Sequence, residues 1–186
     1  MSNLSGDVLN QALANVGQNA ILLMGWNFLD GDFLWTIKQI GVDFIVPSKR
    51  DMQVATDARA FRQTRADGQY LFRAERPGQA RLYGIKGLTS FDQYGDADHQ
   101  TKVNRKDFKP NPINTIVIEH WQGKTYRAGQ EPVFLTSLPV DQPLAILDGF
   151  DLRSLIENYA FLELKQGWQP GFPKSRRPLS ESMEIE

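Results

Sequence analysis

The stretch Ala20-Ile21-Leu22-Leu23-Met24, then Leu29-Asp30-Gly31-Asp32-Phe33-Leu34-Trp35, then Val42-Asp43-Phe44-Ile45-Val46-Pro47 decides the fold. Ala20–Met24 and Val42–Val46 are short apolar blocks, the pattern of strands buried on both faces. Between them Phe33, Leu34, Trp35, Ile37 and Ile40 recur at helical spacing. Asp30 or Asp32 stands where a helix cap or a charge at the positive helix end belongs, and Gly41 follows where a helix stops. Upstream, Val8, Leu9, Ala12, Leu13 and Val16 form another helical pattern with Ser5 as its cap. Helix, strand, helix, strand predicts a parallel α/β unit.

Working outward, the rhythm changes after Pro47. Asp51–Arg65 reads as a helix of weak periodicity. Short β-rich runs then alternate with turn residues, at Tyr70–Phe72, Ala80–Ile85, Ile113–Trp121 and Pro132–Leu138. Strict alternation puts Thr115, Val117, Glu119 and Trp121 on one face of their strand and Ile116, Ile118 and His120 on the other. Gln122-Gly123-Lys124 reads as the turn into the next strand, and Gly87–Pro112 as irregular. The expected organisation is an α/β domain formed by 1–48 and 148–173, interrupted by a β-rich antiparallel insertion over 49–147, with a loose tail over 174–186. Pro170, Pro173 and Pro178 exclude regular helix beyond Trp168.

Composition narrows the function classes. The chain has 186 residues and is 41% hydrophobic, enough for a packed core. It contains no cysteine, which excludes disulfides, thiolate metal sites and cysteine nucleophiles. Its longest apolar run, Ala20–Met24, is too short to span a bilayer, and no signal peptide is visible, so a cytoplasmic protein is expected. Net charge is −1, so no global basic field favours nucleic acid. Lys49–Asp141 nevertheless holds 15 Lys and Arg against 11 Asp and Glu. Arg59, Arg62, Arg65, Arg73, Arg76, Arg81 and Lys86, then Lys102, Arg105, Lys106 and Lys109, suit either a solvated surface or phosphate contacts. His99 and His120 lack metal-ligand spacing and read as loop and strand surface residues. Trp26, Trp35, Trp121 and Trp168 read mainly as packing residues, although Trp168 is also a candidate for stacking on a base. No Gly-rich phosphate loop or nucleophile motif is present.

The run Phe150–Trp168 carries the chemistry. On a helical wheel Leu152, Leu155, Ile156, Tyr159 and Leu162 share one side, and Arg153, Glu157, Phe161 and Lys165 the other. Taken alone, Arg153 and Glu157 form an ordinary i, i+4 surface pair. Phe161 and Leu164 place apolar bulk beside Glu157, which suits a partly covered carboxylate flanked by cations. Arg153-Ser154-Leu155-Ile156-Glu157-Asn158 with Glu163-Leu164-Lys165-Gln166-Gly167-Trp168 resembles the third-carboxylate region of DDE transposases of bacterial insertion sequences, the insertion-sequence-four type. That family's pattern is Tyr, two residues, Arg, three residues, Glu, six residues, Lys. Phe150 stands at the Tyr position, Arg153 and Glu157 keep the spacing, and Lys165 comes one residue late. Phe28-Leu29-Asp30-Gly31, Phe44-Ile45-Val46-Pro47-Ser48-Lys49 and Val133-Phe134-Leu135-Thr136-Ser137-Leu138-Pro139 are similar to the family in the same order, so the match spans most of residues 8 to 173.

The resemblance implies a partial ribonuclease-H-like fold whose Asp, Asp and Glu surround two Mg2+ (or Mn2+) ions for DNA transposition and recombination. On that basis Glu157 is the catalytic and metal-binding carboxylate, Arg153 and Lys165 are DNA-binding, and the partner is DNA, as element ends and target. Gly25 occupies the position of the second aspartate, in Met24-Gly25-Trp26-Asn27-Phe28. Only one helix-like segment precedes Ala20, so the strand bearing the first aspartate is expected to be absent, as is a helix after Trp168. The expectation is a truncated, degenerate, catalytically inactive copy, inclined to self-association through an unpaired strand edge. The alternatives are a residual DNA-binding module without catalysis, using the basic insertion residues and Arg153, and an unrelated interaction protein.

Overall fold

The structure, a computed structural model, describes residues 20–63, 68–91 and 112–153. The chain divides into two compact units, Met1–Asp151 and Leu152–Glu186; of the second, only residues 152 and 153 are described. The described part is mixed α/β with a mostly antiparallel sheet. Its strands are β1 (Ile21–Leu23), β2 (Asp43–Pro47), β3 (Leu71–Arg76), β4 (Ala80–Leu88), β5 (Ile113–Trp121), β6 (Lys124–Thr125) and β7 (Val133–Thr136). Its helices are α1 (Gly31–Gln39), α2 (Gln53–Phe61) and α3, helical over 143–153, with a single 3-10 turn at Trp26–Phe28.

The sheet order is β1-β2-β7-β5-β4-β3, with the short β6 beside β5. β1 and β2 are parallel and joined through α1, as the helix and strand periodicities predict. Asp30 caps α1: its Oδ1 accepts from the Phe33 N–H at 2.9 Å. Gly41, at φ +77°, closes the helix in the left-handed conformation glycine tolerates. Every other pairing is antiparallel, and β7 joins this group directly to β2, so the parallel pair and the antiparallel strands share one sheet. The Thr136-Ser137 pair secures that seam. The Ser137 hydroxyl accepts from the Phe44 N–H at 3.0 Å and donates to Asp43 Oδ1 at 2.6 Å, while the Thr136 hydroxyl donates to the Phe44 carbonyl at 2.7 Å. Among the described residues, the irregular reading of Gly87–Pro112 meets β4 running on to Leu88; residues 92–111 lie outside them.

Both faces of the sheet carry helices. Leu34 and Ile37 of α1 pack with Phe44, Val46 and Leu135, while Ala55 and Ala58 of α2 pack with Leu71, Ile85, Val117 and Val133. Ile116 and Ile118, one residue out of phase with Val117, instead pack with Leu82, Val140 and Leu147 and with Phe134 and Phe150, under α3. Phe134 and Phe150 meet edge-on, with ring centroids 4.8 Å apart. α3 begins earlier than Phe150 because Pro143 is pre-set for the first helical turn and the Gln142 carbonyl accepts from the Ile146 N–H at 3.4 Å.

Two expectations need correction. β1 is not buried on both faces: it is the terminal strand of the described sheet, and Ile21 is 48% exposed. A short apolar block does not reveal whether other elements cover both of the strand's faces. Trp121 does not share a face with Val117; it packs with Ile116 and Ile118. The cause is a β-bulge. Arg81 pairs with His120 and Leu82 with Ile118, so Glu119 has no opposite residue and the alternation slips by one. The predicted turn follows at once, with Gln122 at φ +49° and Gly123 at φ +81°, the two-residue hairpin geometry that fits twisted strands.

Candidate functional site

The strands of the parallel pair end side by side. The Met24 N–H donates to the Ile45 carbonyl at 2.9 Å, which sets Gly25 at the carboxyl exit of β1, next to the exit of β2 at Pro47. Gly25 opens the 3-10 turn with φ −84° and ψ 167°, extended backbone that any residue adopts. The turn lies against β2, and Trp26 within it is 61% exposed, where sequence suggested a packing residue. Ser48, Lys49 and Arg50 follow β2, and the Ser48 N–H donates to the Val133 carbonyl at 2.8 Å. Ligands of parallel α/β sheets commonly bind at such carboxyl ends.

The same end of the sheet carries an ion network that sequence reading missed. Glu131, at the entrance to β7, is fully buried. Arg59 of α2 donates from Nε to the Glu131 carbonyl at 2.9 Å and from Nη1 to the Arg50 carbonyl at 3.0 Å, with Nε 3.9 Å from Glu131 Oε2. Burial lowers the Arg59 pKa; Glu131 opposes that effect and Arg50 adds to it. Arg62 pairs with Glu131 Oε1, reaches Glu119 Oε2 at 3.4 Å, and lies over the Tyr83 ring with its guanidinium carbon 5.8 Å from the centroid. The bulge residue Glu119 also accepts from the Tyr83 hydroxyl at 2.7 Å and pairs with Arg81 at 3.3 Å. Arg81 and Arg73 both hold Glu75, at 3.0 and 2.9 Å.

The charges alternate from the interior to the surface as Glu131, Arg62, Glu119, Arg81, Glu75, Arg73. Burial opposes ionisation of Glu119, but the Tyr83 hydroxyl and the flanking Arg81 and Arg62 outweigh it and hold its carboxyl below the usual range. Burial and the neighbouring Glu119 push the Tyr83 phenol up. A cavity of about 190 Å³ opens on the network, lined by Glu75, Gly78, Ala80, Arg81, Glu119, His120 and Thr125. Arg81 there pairs through its two Nη atoms with Glu119 and Glu75, while its buried Nε has no hydrogen-bond partner. His120, read as a strand surface residue, meets Thr125 Oγ1 at 2.7 Å and the Gly78 carbonyl oxygen at 3.4 Å.

These pairings settle part of the basic cluster. Arg59, Arg62, Arg73, Arg76 and Arg81 are all engaged by carboxylates of the chain itself, Arg76 by Asp148 of α3 at 2.8 Å. Arg65, Lys102, Arg105, Lys106 and Lys109 lie outside the described residues. A signal for these pairs was weak in sequence, because Glu131 stands 72 and 69 residues from its two arginines. The second tether of α3 is Asp151, whose Oδ2 accepts from Trp121 Nε1 at 3.0 Å and Gln122 Nε2 at 2.6 Å. Burial raises the Asp151 pKa; the Trp121 bond lowers it and Asp148 raises it further.

Of the residues singled out for catalysis and DNA, Arg153 lies in α3, while Glu157 and Lys165 lie outside the described residues, as do Trp168 and His99. Among the described residues no group of three His, Asp or Glu side chains is arranged to hold a metal ion. Gly25 supplies no side-chain oxygen at the β1 exit, and the Asp30 carboxylate is occupied in capping α1. The described donors therefore do not fit a two-Mg2+ centre. No described helix is long and apolar enough to cross a membrane. Comparison of the chain with family models, curated proteins and solved structures gave no match.

Proposed function

We propose that this chain is a DNA-handling protein of the DDE-transposase kind, on a ribonuclease-H-like frame, whose phosphoryl-transfer centre is incomplete at Gly25. One observation carries the reading. A parallel strand–helix–strand unit, β1-α1-β2, precedes a run of antiparallel strands and then a helix that leads into Arg153. That order is what the sequence resemblance calls for, and the carboxyl exit of β1 falls at the residue where an aspartate would be required. In this reading Arg153 and Lys165 hold DNA phosphates, Glu157 is the remaining catalytic carboxylate, and the DNA consists of element ends and target.

The arginines of the ion network are structural in this account. Each is engaged by a carboxylate of the chain itself, so phosphate contact is assigned to other cations. The test is incubation of the full chain with supercoiled plasmid in Mg2+ or Mn2+, with electrophoresis for nicking and for retardation. The expected result is retarded, intact plasmid. Nicking that disappears in Glu157→Ala would show a working centre and overturn the incomplete one. Absence of retardation at low salt would overturn the DNA-handling reading altogether.

A further inference from the structure

We propose that Trp26, Lys49 and Arg50 form a contact for single-stranded DNA at the carboxyl end of β1 and β2. The inference rests on the DNA-handling reading and narrows it to one strand state. Trp26 is the most exposed large apolar side chain among the described residues, at 61%. Its neighbour Phe28 is turned toward Phe33, with ring centroids 6.2 Å apart. The 3-10 turn that carries Trp26 lies against β2, the strand that delivers Lys49 and Arg50.

Both cations are exposed, and neither has an ion-pair partner among the described residues. This sets them apart from Arg59, Arg62, Arg73, Arg76 and Arg81. The adjacent Asp51 is also exposed, so the loop keeps a net charge of one positive unit. Its backbone is held in place, because Arg59 Nη1 donates to the Arg50 carbonyl at 3.0 Å.

Neighbouring strands stand about 4.8 Å apart, so an aromatic face at one exit and two cations at the next lie within the span of a nucleotide or two. An aromatic face stacks on a base only when the base is free of its partner, and cations track the phosphates in any form of DNA. The pairing of one aromatic with unpaired cations therefore selects an unpaired strand end over intact duplex.

The test uses the full chain, a fluorescein-labelled oligothymidine of 20 nucleotides and a duplex of equal length, read by anisotropy across a salt series. Trp26→Ala is expected to weaken oligothymidine binding about tenfold, within the range for one stacked base, and to change duplex binding less than about threefold. Trp26→Phe, which keeps a stacking ring, is expected to bind nearly as the unaltered chain. Lys49→Ala with Arg50→Ala is expected to flatten the dependence of log affinity on log salt by about 1.4, at about 0.7 per phosphate on a single strand. Lys38→Ala, at the far end of α1, is the control.

Equal oligothymidine affinity in Trp26→Ala, equal losses on both DNA forms, or an unchanged salt slope in the double variant would overturn the contact. Binding to duplex alone would overturn the contact and leave the DNA-handling reading standing. Binding to neither form would overturn both.

Discussion

Replacing Glu131 with alanine tests the ion network where it is deepest. The carboxylate is fully buried and lies between two arginines whose side chains are 10% and 12% exposed. Removing it leaves both guanidinium groups in the interior with less compensation. Breaking a buried pair by deleting one partner costs about 3–5 kcal/mol. The loss is expected near the lower end, about 3 kcal/mol, because Arg59 keeps the Glu131 and Arg50 carbonyls and Arg62 keeps Glu119. Glu131→Gln preserves the shape and an accepting oxygen and loses only the charge, so about 1.5 kcal/mol is expected for a hydrogen bond to a charged group turned neutral. Against a total stability of about 5–15 kcal/mol, the alanine variant should fall visibly short. Urea unfolding at pH 7 is the assay, with the slope against denaturant compared to confirm that the same surface is exposed. A loss below about 1 kcal/mol in Glu131→Ala, or equal losses in the alanine and glutamine variants, would refute the claim that a buried charge pins α2 to the sheet.

Two further substitutions probe the frame. Gly84→Ala should destabilise by about 2–3 kcal/mol or prevent folding, because a Cβ there would sit 2.1 Å from the Val140 carbonyl oxygen, a backbone atom that cannot swing aside; thermal melts of the variant check this. Asp151 and Glu119 should bend the pH profile in opposite directions. The Glu119 carboxyl is held below its ordinary value, so its stabilising contribution is complete above about pH 4.5 and is lost as pH falls through the lower folded value. The Asp151 carboxyl is held above its ordinary value, so its effect is absent below about pH 3.8 and turns destabilising as pH rises through the higher folded value. Asp151→Asn keeps an acceptor for Trp121 and Gln122, and should match or exceed the unaltered chain in stability at pH 7 while Asp151→Ala falls below it; melts at pH 4 and pH 7 separate the two.

What sequence could and could not reveal follows from range. The β1-α1-β2 unit was legible because its helix periodicity, its Asp30 cap and its Gly41 stop are all local. The Gln122-Gly123 turn was legible for the same reason. The exposure of Ile21 on β1 was not, since apolar content does not reveal which of a strand's faces is covered. The face of Trp121 was misread because one unpaired residue, Glu119, shifts the two-residue period, and no residue type announces a bulge. The ion network was hidden because its carboxylates come from β3, β5 and the entrance to β7 while Arg59 and Arg62 come from α2 and its C-cap. Arg59 and Arg62 therefore looked like members of a basic surface cluster, whereas folding turns them inward. The exposure of Trp26 was likewise invisible, since an aromatic beside an apolar block reads as packing until the turn that lifts it out is seen.

DNA affinity as a function of salt decides whether the chain handles DNA. For the full chain and a labelled DNA duplex, binding is expected to weaken steadily as salt rises from 50 to 200 mM, on the order of tenfold for two or three phosphate contacts, with the DNA recovered uncut in the presence of Mn2+. No binding at the lowest salt, or recovery of cut DNA that depends on Glu157, would contradict it.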